Sequence, residues 1–303
     1  MTFSLTVLGC SSAIPTLTRN PSAHLLNVNE RLFLIDCAEG TQLQLRKYHV
    51  HMQRIRHIFI SHLHGDHFYG LIGLLTTLHL FGRTEELHVY AHPMLEEIID
   101  IQLKASKTKL LYPLYFHPLL PDQYDKVYED DALTVYSFPV VHSVPTNGFI
   151  LREKLQDRKI RKDILEGLNI PVSAMAEIKK GEDFVDEQGL VHRNSTLTID
   201  PPKQRSFAYC ADTMYSETII PIINNCDVLY HETTFMQNMA AVAKEKWHST
   251  TIEAATIAEK SHVKKLIIGH FSARYDDLQP LLDEARTVFL ETYLAEDGSI
   301  FQV

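Results

Sequence analysis

Cysteine is scarce in this chain. Four stand at positions 10, 37, 210 and 226, and no two are spaced as C-x-x-C. That pattern excludes a disulfide scaffold and a cysteine-built zinc site, and it suits a reducing compartment. Long apolar runs are also missing. The most apolar stretch, Gly70 to Gly82, is too short to span a bilayer and contains His79. Positive charge is not in excess: 29 Lys and Arg stand against 38 Asp and Glu, a net charge of -9. Lys and Arg neutralising phosphates supply most non-specific nucleic-acid affinity. The chain is therefore no general nucleic-acid coat, although an enzyme acting on nucleic acid needs basic residues only locally. No fixed-period repeat or low-complexity tract is found. Val7-Leu8-Gly9-Cys10 mimics a lipoprotein cleavage box but lacks a basic segment before it, and Phe3 to Leu8 reads as a strand. These absences lead to the expectation of a cytoplasmic protein with no membrane attachment.

The pattern of what is present is α/β. Phe3–Leu8, His24–Val28, Arg31–Asp36 and Ile55–Ser61 are short runs rich in β-branched, Leu and Phe residues, and they predict strands. Asn29-Glu30 predicts a tight turn between the second and third. Glu39–Lys47 and Phe68–Leu80 predict helices, and Pro93 is expected to open another. Strands are then expected at Leu87–Ala91, Leu133–Val141, Phe207–Cys210, Val228–His231 and Lys265–Gly269, with a helix at Thr251–Ser261. Four of these strands run directly into a polar residue: His142, Asp212, Glu232 and His270. Residues at one edge of a sheet converge though distant in sequence. Leu151 to Lys203 breaks the rhythm. It opens with Arg152, Lys154, Arg158, Lys159, Arg161 and Lys162, and it predicts an inserted helical piece followed by a hairpin. The expected organisation is one domain over 1–303 with a basic arm inserted at 151–203.

Seventeen histidines matter less by number than by placement. His62-Leu63-His64-Gly65-Asp66-His67 puts three imidazoles and a carboxylate, all normal zinc ligands, on one strand-to-helix loop. Gly65 lets the backbone bend. Two imidazoles at i and i+2 can face one metal while Asp66 and His67 face a second. Two metals need more donors than one loop carries. His142, Asp212 and His270 provide them at other strand ends, with His117 and Asp227 as competitors for the first two positions.

The run resembles the H-x-H-x-D-H signature of the metallo-β-lactamase superfamily. The closer resemblance is to the ribonuclease Z family, endonucleases that remove the 3′ trailer of precursor tRNA, and it covers nearly the whole chain. Ser61 to His67 matches that family's fuller motif. Pro15-Thr16-Leu17-Thr18-Arg19-Asn20 is similar to its loop that senses the CCA end, with Leu17 where a basic residue is usual. Tyr209 to Thr213, His231-Glu232-Thr233-Thr234-Phe235, His248-Ser249-Thr250 and Gly269 to Tyr275 resemble its remaining motifs. The arm lacks the family's distal Gly-Pro pair and reads Pro171-Val172-Ser173-Ala174-Met175 there.

The resemblance implies an αββα sandwich of two packed mixed sheets with helices outside and an inserted arm. It implies two zinc ions per subunit, one held by His62, His64 and His142, the other by Asp66, His67 and His270, with Asp212 bridging them. Manganese or iron would also suit such donors. Asp66 would take a proton from the attacking water, and His248, held by Glu232, would protonate the leaving ribose 3′-oxygen. Arg274 and Ser272, with Arg19 and Asn20, would contact substrate. A homodimer acting on precursor tRNA is implied as well. The alternative is another dinuclear-metal phosphodiesterase, or a small-ester hydrolase of the same fold. The basic stretch is open to two readings. It is an RNA-binding surface, or a solvated helix face on which Glu153, Asp157 and Asp163 pair with their neighbours.

Overall fold

A computed structural model describes residues 2–14, 16–168 and 170–303. The chain divides into two compact units: Met1–Tyr128, Val135–Leu151 and Arg205–Val303 form the first, Glu129–Thr134 and Arg152–Gln204 the second.

The first unit is built on two seven-stranded sheets. One runs in the order Ile300–Gln302, Phe3–Gly9, Ala23–Val28, Arg31–Ile35, Ile55–Phe59, Leu87–Ala91, Leu114–Pro118. The other runs Thr292–Leu294, Lys265–Gly269, Val228–Glu232, Ser206–Cys210, Asn147–Glu153, Leu133–Pro139, Asp125–Glu129. The strands read as near-continuous apolar runs because both faces are covered: Phe3, Leu5, Val7 and Leu8 are all fully buried. Their inner faces meet through rings. His24 lies 5.1 Å from Tyr209 and 4.3 Å from Tyr230, and Phe59 lies 5.4 Å from Phe149. On the outer face of the first sheet, the helix Leu71–Leu80 sets Leu71, Leu74, Leu75 and Leu78 into one cluster with Leu34, Ile58 and Val89. That is the i, i+3, i+4, i+7 stripe of an amphipathic helix, and each buried leucine contributes about 1.5–3 kcal/mol. The second sheet is covered by Thr251–Lys260, which buries Ala254, Ala255, Ile257 and Ala258. A capping box between Thr250 and Glu253 starts that helix. The architecture is the expected αββα sandwich.

Most predicted elements are found within a residue or two. Asn29 and Glu30 both have positive φ, as a two-residue turn of a twisted hairpin requires. Two expectations are corrected. Phe68–Leu80 is not one helix: Gly65–Phe68 and Leu71–Leu80 are separate. The chain bends at Gly70, where a Cβ would lie 1.8 Å from the Ala38 carbonyl oxygen. Asp66 and His67 therefore sit on a short helical turn rather than on open loop. The strand predicted to reach Val141 stops at Pro139, since proline has no N–H for the ladder. Pro93 caps its helix, Met94–Ala105, from just outside.

The second unit has its own small core of Ile170, Ile178 and Leu197, packed with Ile160, Ile164, Leu168 and Phe184. Two helices, Lys162–Gly167 and Val172–Lys180, precede a hairpin of Phe184–Val185 and Val191–His192. Asn194 ties them together: its Nδ2 donates to the carbonyls of Ile178 at 2.6 Å and Glu182 at 2.7 Å. Among the described residues, no helix is long and apolar enough to cross a membrane.

Candidate metal centre

Parallel strands deliver the site. Ser206–Cys210, Val228–Glu232 and Lys265–Gly269 run parallel and end together, presenting Asp212, Glu232 and His270. Arg31–Ile35 and Ile55–Phe59 are parallel in the other sheet and lead to Asp36 and to Ser61-His62. Gly269 admits the packing, since a Cβ there would lie 2.2 Å from the Tyr230 hydroxyl.

Two donor groups form, each with its ligand atoms within 4.8 Å of one another: His62, His64, His142 and Asp212, then Asp66, His67, Asp212 and His270. Asp212 belongs to both because its two oxygens face opposite ways. Oδ2 lies 3.7 Å from His62 Nε2 and 3.9 Å from His142 Nε2. Oδ1 lies 3.4 Å from His67 Nε2 and 3.2 Å from His270 Nε2. Asp66 Oδ2 is 3.3 Å from His270 Nε2. His64 turns Nδ1 inward, 3.1 Å from His62 Nε2 and 3.2 Å from His142 Nε2.

The remaining imidazoles are each anchored through Nδ1. His62 is held by Ser61 Oγ at 3.0 Å, His67 by Asp36 at 2.8 Å, His142 by the Trp247 carbonyl at 2.8 Å and His270 by Thr234 Oγ1 at 2.8 Å. A proton on Nδ1 leaves the Nε2 lone pair free to bind a cation. Asp36 is the hub of this support. Fully buried, it also accepts from the Ser61 amide and hydroxyl and from Tyr209 Oη at 2.7 Å.

The electrostatics call for positive charge. Burial lowers the pKa of His62, His64 and His142, so these imidazoles stay neutral. Burial also opposes charge on His67, but Asp212, Asp36 and Asp66 outweigh it and raise that imidazole well above its ordinary value. His67 Nε2 and Asp212 Oδ1 are buried with no hydrogen-bond partner. Orphaned atoms in such a place are costly unless a cation receives them. The donor set fits two divalent metals.

Glu232 and His248 stand beside this centre. The Glu232 carboxylate accepts from His248 Nδ1 at 2.8 Å, from the amides of Thr213, Ser249 and Thr234, and from Thr234 Oγ1. Burial resists its ionisation, yet His248 holds it below the usual carboxylate range. For His248 burial again opposes charge. Glu232 and then Asp212 and Asp66 overcome it and push the imidazole up to about 9. His248, Asp66, His270 and Ser272 line one cleft of about 600 Å³ with Phe235 and Lys246.

The sequence-predicted residues divide accordingly. All seven residues expected as metal ligands, with Glu232, His248 and Ser272, come together. His117 and Asp227 belong to neither donor group: His117 Nε2 meets His88 Nδ1 at 2.9 Å, and Asp227 bonds to Ser206 and Lys264. Arg274 is exposed, stacked 4.9 Å over the Phe235 ring, with Nε donating to Ser272 Oγ at 3.0 Å. Arg19 and Asn20 do not line the cleft. Asn20 is bound through its amide and Nδ2 to Asp297 at 2.9 and 2.8 Å. Arg19 borders a different cavity with Asp276, Asp277 and Asp297. Pro15 of the same loop lies outside the described residues. Sequence reasoning missed Asp36, Thr234 and the Trp247 carbonyl. Asp36 carried a usable signal, a polar residue closing an apolar strand; a backbone carbonyl carries none.

Comparison with known proteins gives the chain's relatives. Residues 3–156 match the family model described as Anti-Pycsar protein Apyc1. The solved structure of the short form of human tRNase Z is similar over 98% of both chains, with a TM-score of 0.72 and 27% identity. The metallo-β-lactamase fold protein YhfI from Bacillus subtilis shares the fold, with a TM-score of 0.69 at 20% identity over the full length of both chains. Curated proteins named ribonuclease Z are similar at 42% identity in Parabacteroides distasonis, over 98% of this chain and 97% of that one, and at 43% with the same coverage in Bacteroides fragilis. On that full-length identity, this chain belongs to the ribonuclease Z family.

Proposed function

We propose that this chain is a metal-dependent endoribonuclease that removes the 3′ trailer of precursor tRNA. The observation that carries the reading is Asp212, one carboxylate facing two imidazole clusters, with His248 held on Glu232 beside it. Two divalent cations, zinc on this donor set, would be held by His62, His64 and His142 and by Asp66, His67 and His270, with Asp212 shared between them. When bound, they supply charge that stabilises the attacked phosphate and acidifies a water.

The chain's own groups complete the reaction. Asp66 accepts the proton of the attacking water. The water oxygen joins phosphorus as the bond to the ribose 3′-oxygen breaks, leaving a 5′-phosphate on the trailer. That 3′-oxygen is a poor leaving group as an alkoxide. His248, its Nδ1 fixed on Glu232, delivers a proton from Nε2 and the tRNA departs with a 3′-hydroxyl. A placed acid of this kind contributes about 10²–10⁴-fold. Arg274, with its planar fork backed by Phe235, is the group to grip a phosphate, and Ser272 orients it. The family resemblance adds two further parts to the proposal: a homodimer, in which one subunit's inserted unit could serve the other's site, and a cytoplasmic place of work.

The test is incubation of the zinc-loaded chain with a precursor tRNA bearing a 3′ trailer. A single cut after the discriminator base, with a 3′-hydroxyl on the tRNA and a 5′-phosphate on the trailer, is expected. Intact substrate in the presence of zinc and of manganese, or stepwise trimming from the 3′ end, would overturn the proposal.

A further inference from the structure

Trp247, the chain's only tryptophan, precedes His248 and follows the helix Ala240–Glu245 and its C-cap Lys246. Its φ is 60°, in the left-handed region. The His248 amide donates to the Ala243 carbonyl at 2.9 Å and the Trp247 amide to the Lys244 carbonyl at 3.3 Å. This pair of bonds is the Schellman ending, whose left-handed position usually holds glycine. A bulky aromatic residue there is an outlier. Sustained backbone strain of this kind clusters at functional sites.

The strained peptide is pinned on both sides. Its N–H, that of His248, reaches Ala243, and its carbonyl, that of Trp247, accepts from His142 Nδ1 at 2.8 Å. One residue on, the His248 ring is held on Glu232, 5.2 Å from the His142 ring. We propose that Trp247 is a positioning residue. Its left-handed backbone aims one carbonyl at His142, and so a single turn sets both a metal ligand and the leaving-group acid. Swinging the backbone to an ordinary φ would carry the carbonyl off His142 and free that ring to rotate. The indole does not line the cleft and is 42% exposed, so the contribution is the backbone's. Glycine would serve as well as tryptophan, and a β-branched residue would not.

This inference rests on the metal reading of His142, and the experiment separates the two. Zinc affinity is measured by competition with a chromophoric chelator for wild type, Trp247→Gly and Trp247→Val. The His142 Nδ1–H resonance is followed by NMR in zinc-loaded, 15N-histidine-labelled protein. Trp247→Gly is expected to keep both the affinity and the resonance. Trp247→Val is expected to lose about tenfold or more in affinity, the usual cost of losing a group that orients a ligand, and to lose or shift the resonance. Equal zinc affinity in the Gly and Val variants, or a Gly variant weakened with its resonance lost, overturns the inference. If Trp247→Val does not fold, by circular dichroism, the Gly variant alone decides: retained affinity supports the inference and weakened affinity overturns it. A wild-type chain that takes up no zinc removes the metal reading itself.

Discussion

The ligand-bearing sheet edge and the inserted unit are both marked in the sequence by charged and polar residues, and they behave differently. At the edge, residues 208 positions apart converge on one carboxylate: His62 Nε2 lies 3.7 Å and His270 Nε2 3.2 Å from the oxygens of Asp212. In the inserted unit, half of the basic run, and Lys180 beyond it, is answered from within. Lys154 pairs with Glu129 at 2.6 Å, Arg158 with Asp200 at 2.5 Å, Arg161 with Asp163 at 2.9 Å and Lys180 with Glu177 at 3.0 Å. Over 152–204, ten Lys and Arg face ten Asp and Glu, and Glu129, Asp130 and Asp131 bring the unit as a whole to a net charge of -3. The difference is one of physics. A buried imidazole or carboxylate has few acceptable partners, so its type and place identify its role. A surface cation accepts any nearby carboxylate for about 0–1 kcal/mol. A basic run therefore does not by itself specify an RNA surface. The same weakness means these pairs can be exchanged for phosphates at little cost.

The largest expected effect lies at the edge. Asp212→Ala removes the carboxylate common to both clusters. Metal content should fall from two equivalents toward none, and cleavage should fall to background, read by elemental analysis and precursor-tRNA assay. A variant retaining both metals would break the contrast, because Asp212 would then be replaceable. A smaller and more selective effect is expected from excising the inserted unit. Ile160 pairs with Thr198 and Lys159 with Ile199, so residues 161–197 can be replaced by an Asn-Gly turn across that hairpin neck. Precursor-tRNA binding should weaken while hydrolysis of bis(p-nitrophenyl) phosphate is unchanged. Loss of both activities would make the unit a structural part of the enzyme. Smaller again is Asn194→Ala, which leaves the Ile178 and Glu182 carbonyls without their donor. It should loosen the inserted unit by about 1–3 kcal/mol, seen in hydrogen exchange there, with zinc content unaltered.

Much of this was legible in the sequence, for identifiable reasons. The strands Leu87–Ala91 and Lys265–Gly269 lie where their apolar runs do. The polar residues closing four such runs are the ones that converge. What was not legible depended on tertiary neighbours. At Gly70 the helical ladder is interrupted, its N–H donating to the Cys37 carbonyl at 2.9 Å with the Ala38 carbonyl close against it, and nothing local announces that. Asn20 reads as a substrate contact in the sequence, and nothing near it announces that its side chain donates to Asp297, 277 residues away. Asp36 reads in the sequence only as the end of a strand, because its role exists through His67, Ser61 and Tyr209.

The central claim is that the edge separates two tasks, attack at the metal clusters and protonation of the leaving group by His248. His248→Ala tests it when assayed on two substrates with the same zinc-loaded protein. Precursor-tRNA cleavage should fall by about 10²–10⁴-fold. Hydrolysis of bis(p-nitrophenyl) phosphate, whose phenolate leaves without a proton, should fall far less. Equal losses on both substrates would contradict the account.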